Sequence, residues 1–388
     1  MKRRILCIDY GLCNFHNLRI LVESGHKVWV TNTSDKPHQA PIRYYESLGI
    51  TLIRDKSVTE RESVVRKFVE DNKIDTIINS WPHYQVPRKW IRELDYIGHT
   101  DISRDLEIQK KATRHKIEQL GVKCPKLLSD LTIPCVVKPC HVNRPNPDHS
   151  EIVLNQEHLD YARKETGDVY IEEYIPDNIE TNVEFVMSEG KWSIQHWQEV
   201  IGEDEAKLAG NFIHWTKLVS FNYLTTEDKE LTLKNCEKIL EWASTLGGSY
   251  IGQITGVIKD GVWYFIEINV RPEQSNSLPY FITGDEWLEA MHGKPEIIGD
   301  SYPWDINKVV LQPTEPNAPY PFHLHEKHGV SIPCGLDILK DKHRVARQFR
   351  NRSDDQCMGI IVVDRDIPQE FVDDVKKDGK FIVSHCFI

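Results

Sequence analysis

The sequence predicts an α/β chain that opens with a doubly wound parallel sheet, continues through a β-rich α+β middle and closes on a small sheet. Three observations carry this expectation. Over residues 1 to 98 short apolar runs alternate with single amphipathic segments, the order that a parallel sheet with crossover helices requires. Further on, apolar runs come in pairs joined by turn residues, as antiparallel hairpins do. The tail is strand-poor at first and then gives Gly359 to Asp364 and Lys380 to Val383, two runs suited to a smaller closing sheet.

In chain order, strands are expected at Ile5 to Asp9, Val28 to Thr31, Thr51 to Arg54 and Asp75 to Asn79. Between them, one helix carries Phe15, Leu18, Leu21 and Val22 and ends at Gly25, and a second carries Ile42, Tyr45 and Leu48 and ends at Gly49. The third opens on Thr59-x-x-Glu62, which reads as a capping box, with Val65, Phe68 and Val69 on one face. The loop after the first strand, Asp9 to Asn14, holds no G-x-G-x-x-G, so it gives no support for a dinucleotide site. A helix is then expected from about Ser103 to Leu120, stopped by Gly121 and followed by extended chain through Pro125. Next come strands at Cys135 to Pro139, Glu151 to Asn155 and Val169 to Ile175, with a helix near Gln156 to Lys164. A hairpin of 180–187 and 191–200 turns at Ser188-Glu189-Gly190, and a long helix of about 226–246 ends at Gly247-Gly248. The clearest hairpin follows, Ile251 to Ile258 and Val262 to Val270 around Lys259-Asp260-Gly261.

Composition narrows the function classes. The 388 residues include 48 basic and 59 acidic ones, a formal charge of −11 that argues against direct nucleic-acid binding. No apolar run is long enough to span a membrane, and the N-terminus shows no signal-type apolar region, so a cytoplasmic protein is expected. Nine scattered cysteines with no C-x-x-C argue against a disulfide framework or zinc ribbon; Cys7 and Cys135, inside apolar runs, read as small hydrophobes.

The return strand of the last hairpin carries the sharpest chemical signal. Strict alternation places Trp263, Phe265, Glu267, Asn269 and Arg271 on one face, and Tyr264, Ile266, Ile268 and Val270 on the other. Residues two apart on a strand lie about 6.6 Å from each other, so the oxygens of Glu267 and Asn269 can converge on one hard cation. Lys138, inside an apolar strand, is costly to bury without a partner, and a phosphate suits it.

Tyr264-Phe-Ile-Glu267-Ile-Asn269-Val-Arg271-Pro, after a strand and a turn, resembles the metal-binding hairpin of the ATP-grasp superfamily. Three other segments resemble that superfamily in order and spacing: Lys110 with Arg114 ahead of Gly121-Val122-x-x-Pro125, with Lys111 as the neighbouring alternative; Val136-Val137-Lys138-Pro139; and Glu172-Glu173-Tyr174-Ile175 followed by Glu180. Within it the sequence is most similar to phosphoribosylamine-glycine ligase, also called glycinamide ribonucleotide synthetase, through Gly252 to Ile258, Arg271 and Glu273, and through the tail segments Val309 to Leu311, Tyr320-Pro321, Gly329 to Ile332 and Gly359 to Val363.

The resemblance implies a Rossmann-like pre-ATP-grasp domain over 1–100, a two-lobed ATP-grasp domain over 101–298 with its small lobe at about 130–176, and a C-terminal closing domain over 299–388. It implies ATP with Mg²⁺ or Mn²⁺ as cofactors. Glu267 and Asn269 would hold the metal, and Lys110, Arg114 and Lys138 would bind the phosphates. Glu172, Glu173 and Ile175 would line the adenine and Glu180, or Glu184 on the same strand face, the ribose; Arg271 and Lys138 would be catalytic. Lys217, Glu273, Asn14 and His16 are weaker substrate candidates. The implied reaction is that of an ATP-dependent carboxylate-amine ligase acting through an acyl phosphate on small-molecule carboxylate and amine substrates, in a monomer or homodimer. Two loops keep alternatives open. The segment Cys140 to His149 has no glycine where the superfamily is glycine-rich, which suits a nucleotide-binding regulator or scaffold that has lost turnover. Residues 9–16 carry no arginine for a sugar phosphate, which suits an amino-acid or peptide ligase of the same fold.

Overall fold

In the computed structural model, the described residues are 2–8, 15–31, 45–46, 48–55, 57–82, 86–129, 132–141, 151–153, 155–157, 160, 168–176, 178–200, 224–272, 282–301, 307–313, 321–330, 360–364 and 367–387. The N-terminal segment forms the parallel sheet that its alternation predicts. Its elements are β1 (Arg4–Ile8), α1 (Phe15–Glu23), β2 (Lys27–Thr31), β3 (Thr51–Ile53), α2 (Ser57–Glu60), α3 (Glu62–Asn72), β4 (Thr76–Asn79) and β5 (Asp95–Gly98). The sheet order is β3-β2-β1-β4-β5, with every pair parallel. Central β1 is covered on both faces, and Ile5, Leu6, Cys7 and Ile8 are wholly buried, which is why it reads as a continuous apolar run. Two expectations are corrected. The third helix begins at Ser57, whose backbone and hydroxyl both bond Asp55, and breaks at extended Arg61, so Thr59-x-x-Glu62 opens neither α2 nor α3. Edge strand β5, only four residues long, is absent from the sequence expectation; it is set by its pairing with β4.

The middle of the chain supplies two antiparallel sheets. The expected helix of 103–120 is two helices, α4 (Asp105–Ile108) and α5 (Lys110–Gln119), because Gln109 leaves helical geometry at ψ 61°. Strands β6 (Cys135–Pro139), β7 (Glu151–Val153) and β8 (Val169–Glu173) form a small sheet in the order β7-β6-β8. Strands β9 (Ile179–Ser188) and β10 (Lys191–Val200), helix α6 (Thr226–Ser244), and strands β11 (Ser249–Lys259) and β12 (Val262–Asn269) form a larger unit with sheet order β10-β9-β11-β12. The turn expected at Lys259-Asp260-Gly261 is the two residues Asp260 and Gly261, both at positive φ, because Lys259 still pairs with Val262. Helix α6, capped by the Thr225 hydroxyl, lays Cys236, Ile239, Leu240 and Ala243 on one face of this sheet, against Val183, Phe185, Ile254 and Ile268.

Helices α7 (Gly284–Ala290) and α8 (Glu296–Ser301) return to the parallel sheet. Trp287 and Leu288 join Leu18, Leu21, Val186 and Ile251 in one apolar core, which ties the parallel sheet to the larger antiparallel one. Strand β13 (Asn307–Pro313), helix α9 (Phe322–His328), strand β14 (Ile360–Asp364), helix α10 (Gln369–Asp378) and strand β15 (Phe381–Phe387) form the expected closing sheet, ordered β14-β13-β15. Among the described residues Cys7, Cys124, Cys135, Cys140 and Cys236 are free thiols, and no helix is long and apolar enough to cross a membrane.

Two consequences are measurable. A Cβ on Gly256 would stand 2.2 Å from the Trp263 indole, whose N–H donates to the Thr181 hydroxyl at 2.9 Å. Gly256→Ala is therefore expected to lower stability by about 1–3 kcal/mol through overpacking, read by denaturant unfolding. His292 follows α7 and donates to Asp95 of β5 at 2.7 Å and to the Leu288 carbonyl. The bond to Asp95 raises the His292 pKa above 6.5. Burial pushes the Asp95 carboxyl up, but His292 and Arg3 outweigh it and hold it below 3.8. The His292 contribution is full below 6.5 and is lost as pH rises through its raised value; that of Asp95 is full above 3.8 and is lost as pH falls. Melting temperature should thus decline as pH rises above 6.5, and His292→Gln should flatten that limb, a difference of roughly 0.5–1 kcal/mol.

Candidate active site

The site is built on an irregularity of β12. Pairing with β11 runs Asn269 to Gln253, Ile268 to Ile254 and Glu267 to Thr255, then slips so that Phe265 faces Gly256, leaving Ile266 as the extra residue of a β-bulge. Trp263 and Phe265 before the bulge, and Ile268 and Val270 after it, all belong to the core under α6. The expectation that Trp263 and Phe265 share a face with Glu267 and Asn269 is therefore wrong. One inserted residue reverses the alternation, so the strand buries its aromatic half on one face and presents Glu267 and Asn269 on the other.

Charges from distant segments meet at the bulge. Lys110, the first residue of α5, places its ammonium 2.9 Å from Glu267 Oε2, and the Asn269 amide donates to Glu267 Oε1 at 3.3 Å. The charge of Lys110 draws the Glu267 pKa down to about 2 against the opposing effect of burial, and Lys138 and Arg271 add to the pull. Lys138 crosses from β6 of the small sheet to donate to the Ile266 carbonyl at 2.9 Å. Its other partner is Glu172 Oε2 of β8, at 2.7 Å. Glu172 also accepts from Arg114 of α5, which in turn donates to the Pro125 carbonyl. Lys138, Glu172 and Arg114 are each at least 97% removed from solvent, so this is a buried triad of two cations about one carboxylate. The buried lysine that sequence alone pairs with a phosphate has a protein carboxylate beside it.

Glu107 escaped sequence reasoning, since a single glutamate in a charged helix carries no signal. Its buried carboxylate accepts from the Val270 backbone N–H and from Arg271 Nε, each at 2.9 Å. The Arg271 guanidinium also lies over the Trp81 ring, 5.3 Å from its centre. Trp81 follows the C-terminal end of β4, an inner strand beside β1, where the strand order reverses. Segment 107–110 thus grips segment 266–271 at both ends, Glu107 on Arg271 and Lys110 on Glu267.

Of the remaining candidates, Glu173 uses its backbone and carboxylate to bond the backbone of Lys126, and the Ile175 carbonyl accepts from Asn178. Glu180 accepts from Asn182 at 3.0 Å, and Asn182 accepts from Thr255 at 2.7 Å; Glu184, one pleat on, is buried. Lys111 lies beside Lys110, with its backbone N–H on the Cys140 carbonyl. Asn14, Lys217, Glu273, the side chain of His16 and loop residues 142–149 lie outside the described residues.

Among the described residues no three His, Cys, Asp or Glu side chains cluster as a metal cage. An ionised carboxylate beside a carboxamide suits instead a hard cation that completes its shell with substrate phosphates and water.

No protein-family model and no curated protein matches the sequence. Solved structures do. An L-amino acid ligase from Bacillus licheniformis superposes with a TM-score of 0.65 over 100% of both chains at 17% identity. N5-carboxyaminoimidazole ribonucleotide synthetase from Thermus thermophilus gives 0.64 over 96% of each chain at 12% identity. Biotin carboxylase from Campylobacter jejuni, in a complex with β,γ-ATP, gives 0.56 over 99% of this chain and 92% of its own at 13% identity. The chain is similar to these three enzymes in fold over nearly its whole length.

Removing Glu172 would leave Lys138 and Arg114 buried without their carboxylate. Glu172→Ala is expected to cost about 3–5 kcal/mol of stability, measured by denaturant unfolding, far more than exposed Glu118→Ala on the same helix as Arg114.

Proposed function

We propose that this protein is an ATP-dependent carboxylate-amine ligase. It would transfer the γ-phosphoryl of ATP to a carboxylate oxygen, giving an acyl phosphate and ADP, and pass the acyl group to an amine, giving an amide and phosphate. The observation that carries this reading is the meeting of Lys110 and Lys138, 28 positions apart, on Glu267 and the carbonyl of Ile266. Phosphoryl transfer asks a protein chiefly to position reactants and to spread negative charge, and this arrangement supplies both.

Glu267 and Asn269 would hold Mg²⁺ or Mn²⁺, which when bound neutralises phosphate charge. Lys110, Lys138 and Arg114 would face the phosphates. In this reading Glu172 keeps Lys138 and Arg114 charged in a buried place, and Glu173, Ile175 and Glu180 border the nucleoside. Arg271, fixed by Glu107 and Trp81, would bind the carboxylate and then the acyl phosphate. Closure of the small sheet over the larger one would exclude water from an intermediate that water destroys. The parallel-sheet domain of 1–100, the two-lobed domain of 101–298 and the closing domain of 299–388 are the units of this assignment.

A glycinamide ribonucleotide synthetase-like reaction would join an amino acid to a nucleotide-like amine. The absence of arginine in 9–16 and the end-to-end superposition on an L-amino acid ligase favour an amino-acid or peptide ligase instead.

MgATP is expected to raise the melting temperature, and Glu267→Ala with Asn269→Ala to abolish the metal-dependent part of that shift. Release of ADP across a panel of carboxylates and amines should identify the substrates. No shift at millimolar ATP would refute nucleotide binding, and a shift with no ADP release from any pair would refute the ligase.

A further inference from the structure

Both oxygens of the Glu267 carboxylate already carry donors from this chain. The Lys110 ammonium stands 2.9 Å from Oε2, and the Asn269 amide donates to Oε1 at 3.3 Å. The pair is within reach of solvent, since 30% of the Glu267 side chain and 16% of the Lys110 side chain are exposed. Among the described residues no cage of three His, Cys, Asp or Glu side chains adds negative charge around it. A dication approaching Glu267 therefore meets a carboxylate that Lys110 has neutralised, and an amide that turns its nitrogen, not its oxygen, toward that carboxylate.

Lys110 itself stands where a cation is least at home. It is the first residue of α5, Lys111 follows it, and the first turn holds no acidic residue and no capping side chain. A helix N-terminus carries partial positive charge and unpaired N–H groups, so cations there need an anion close by. Glu267 supplies one negative charge. A polyphosphate brings several, and suits both the ammonium and the helix end.

We infer that Lys110 is a resident counter-ion that keeps a free divalent cation off Glu267, and that it yields the carboxylate only to a cation arriving on a polyphosphate. This rests on the ligase reading above, in which Lys110 faces the phosphates. The exchange leaves no charge unpaired, because the ammonium passes from carboxylate to phosphate as the metal takes its place on Glu267. Metal and nucleotide binding are then coupled through one side chain, each strengthening the other by the same factor.

The test is protein-bound Mn²⁺ measured by equilibrium dialysis of the full chain, without nucleotide and with the non-hydrolysable β,γ-imido analogue of ATP. Wild-type protein is expected to take up Mn²⁺ at Glu267 only with the analogue. Lys110→Met should bind Mn²⁺ alone about tenfold or more tightly than wild type, because the competing charge is gone. Lys110→Arg, which keeps the charge, should stay as closed as wild type, a contrast that a merely structural lysine would not produce. Adding Glu267→Gln to Lys110→Met should remove the gain and so locate it. Wild-type binding of Mn²⁺ alone that Glu267→Gln abolishes would overturn the inference, however the Lys110 variants fold. Equal affinity of wild type and Lys110→Met for Mn²⁺ alone, or a gain that survives Glu267→Gln, would overturn it too. Each of these results leaves the ligase standing if Mn²⁺ with the analogue raises the wild-type melting temperature; neither uptake nor a melting shift with both present would refute nucleotide binding and this inference together.

Discussion

The structure depends on how six consecutive residues, Ile266 to Arg271, are held. They begin on a bulge and end beyond a strand, where backbone pairing alone fixes little. The Ile266 carbonyl takes Lys138 from the small sheet, the Glu267 carboxylate takes Lys110 from α5, and Val270 and Arg271 take Glu107 from α4. Each contact is charge-assisted, and together they make one short segment the meeting point of three separate units. The side chains suited to a divalent ion are therefore oriented before any ion or nucleotide arrives.

Burial makes these contacts consequential. A lysine, an arginine and a glutamate away from water are tolerated only because each satisfies the others and because carbonyls of Pro125 and Ile266 accept the spare donors. The same desolvation that makes the triad costly strengthens its field at the neighbouring bulge, where Glu267 stays ionised well below neutrality. Preorganised positive charge beside an ionised carboxylate is the electrostatic setting that phosphoryl transfer needs.

The scaffold around the segment divides its labour by face. Helix α6 and the apolar half of the larger sheet provide the adhesive core, which Gly252 and Gly256 permit by making room for Phe185 and Trp263. The opposite face is polar and bonded among its own side chains. The parallel sheet contributes Trp81 at its reversal of strand order, and shares a core with Val186 and Ile251, so its position relative to the polar face is set by packing as well as by hydrogen bonds.

Much of this was legible in the sequence where the signal is local. Period-two and period-3.6 apolar patterns place β1, β2, β4, the hairpin around Asp260-Gly261 and helix α6, because each buries one stripe or one run of adjacent residues. Lys138, Glu267 and Asn269 are also visible, since a lysine in an apolar strand or a carboxylate and amide one pleat apart are chemically conspicuous, whereas Lys110, Arg114 and Glu172 stand out only through the resemblance of their segments to the superfamily's. Only tertiary structure decided which of them touch. The bulge at Ile266 depends on pairing with β11, so alternation along β12 alone assigns Trp263 and Phe265 to the wrong face. Glu107 owes its role to a strand more than 150 residues away, and Glu172 is a partner of Lys138 because two strands of the small sheet lie side by side. Sequence determines what a residue can bond; chain folding decides which partner stands within 3 Å when water has been removed.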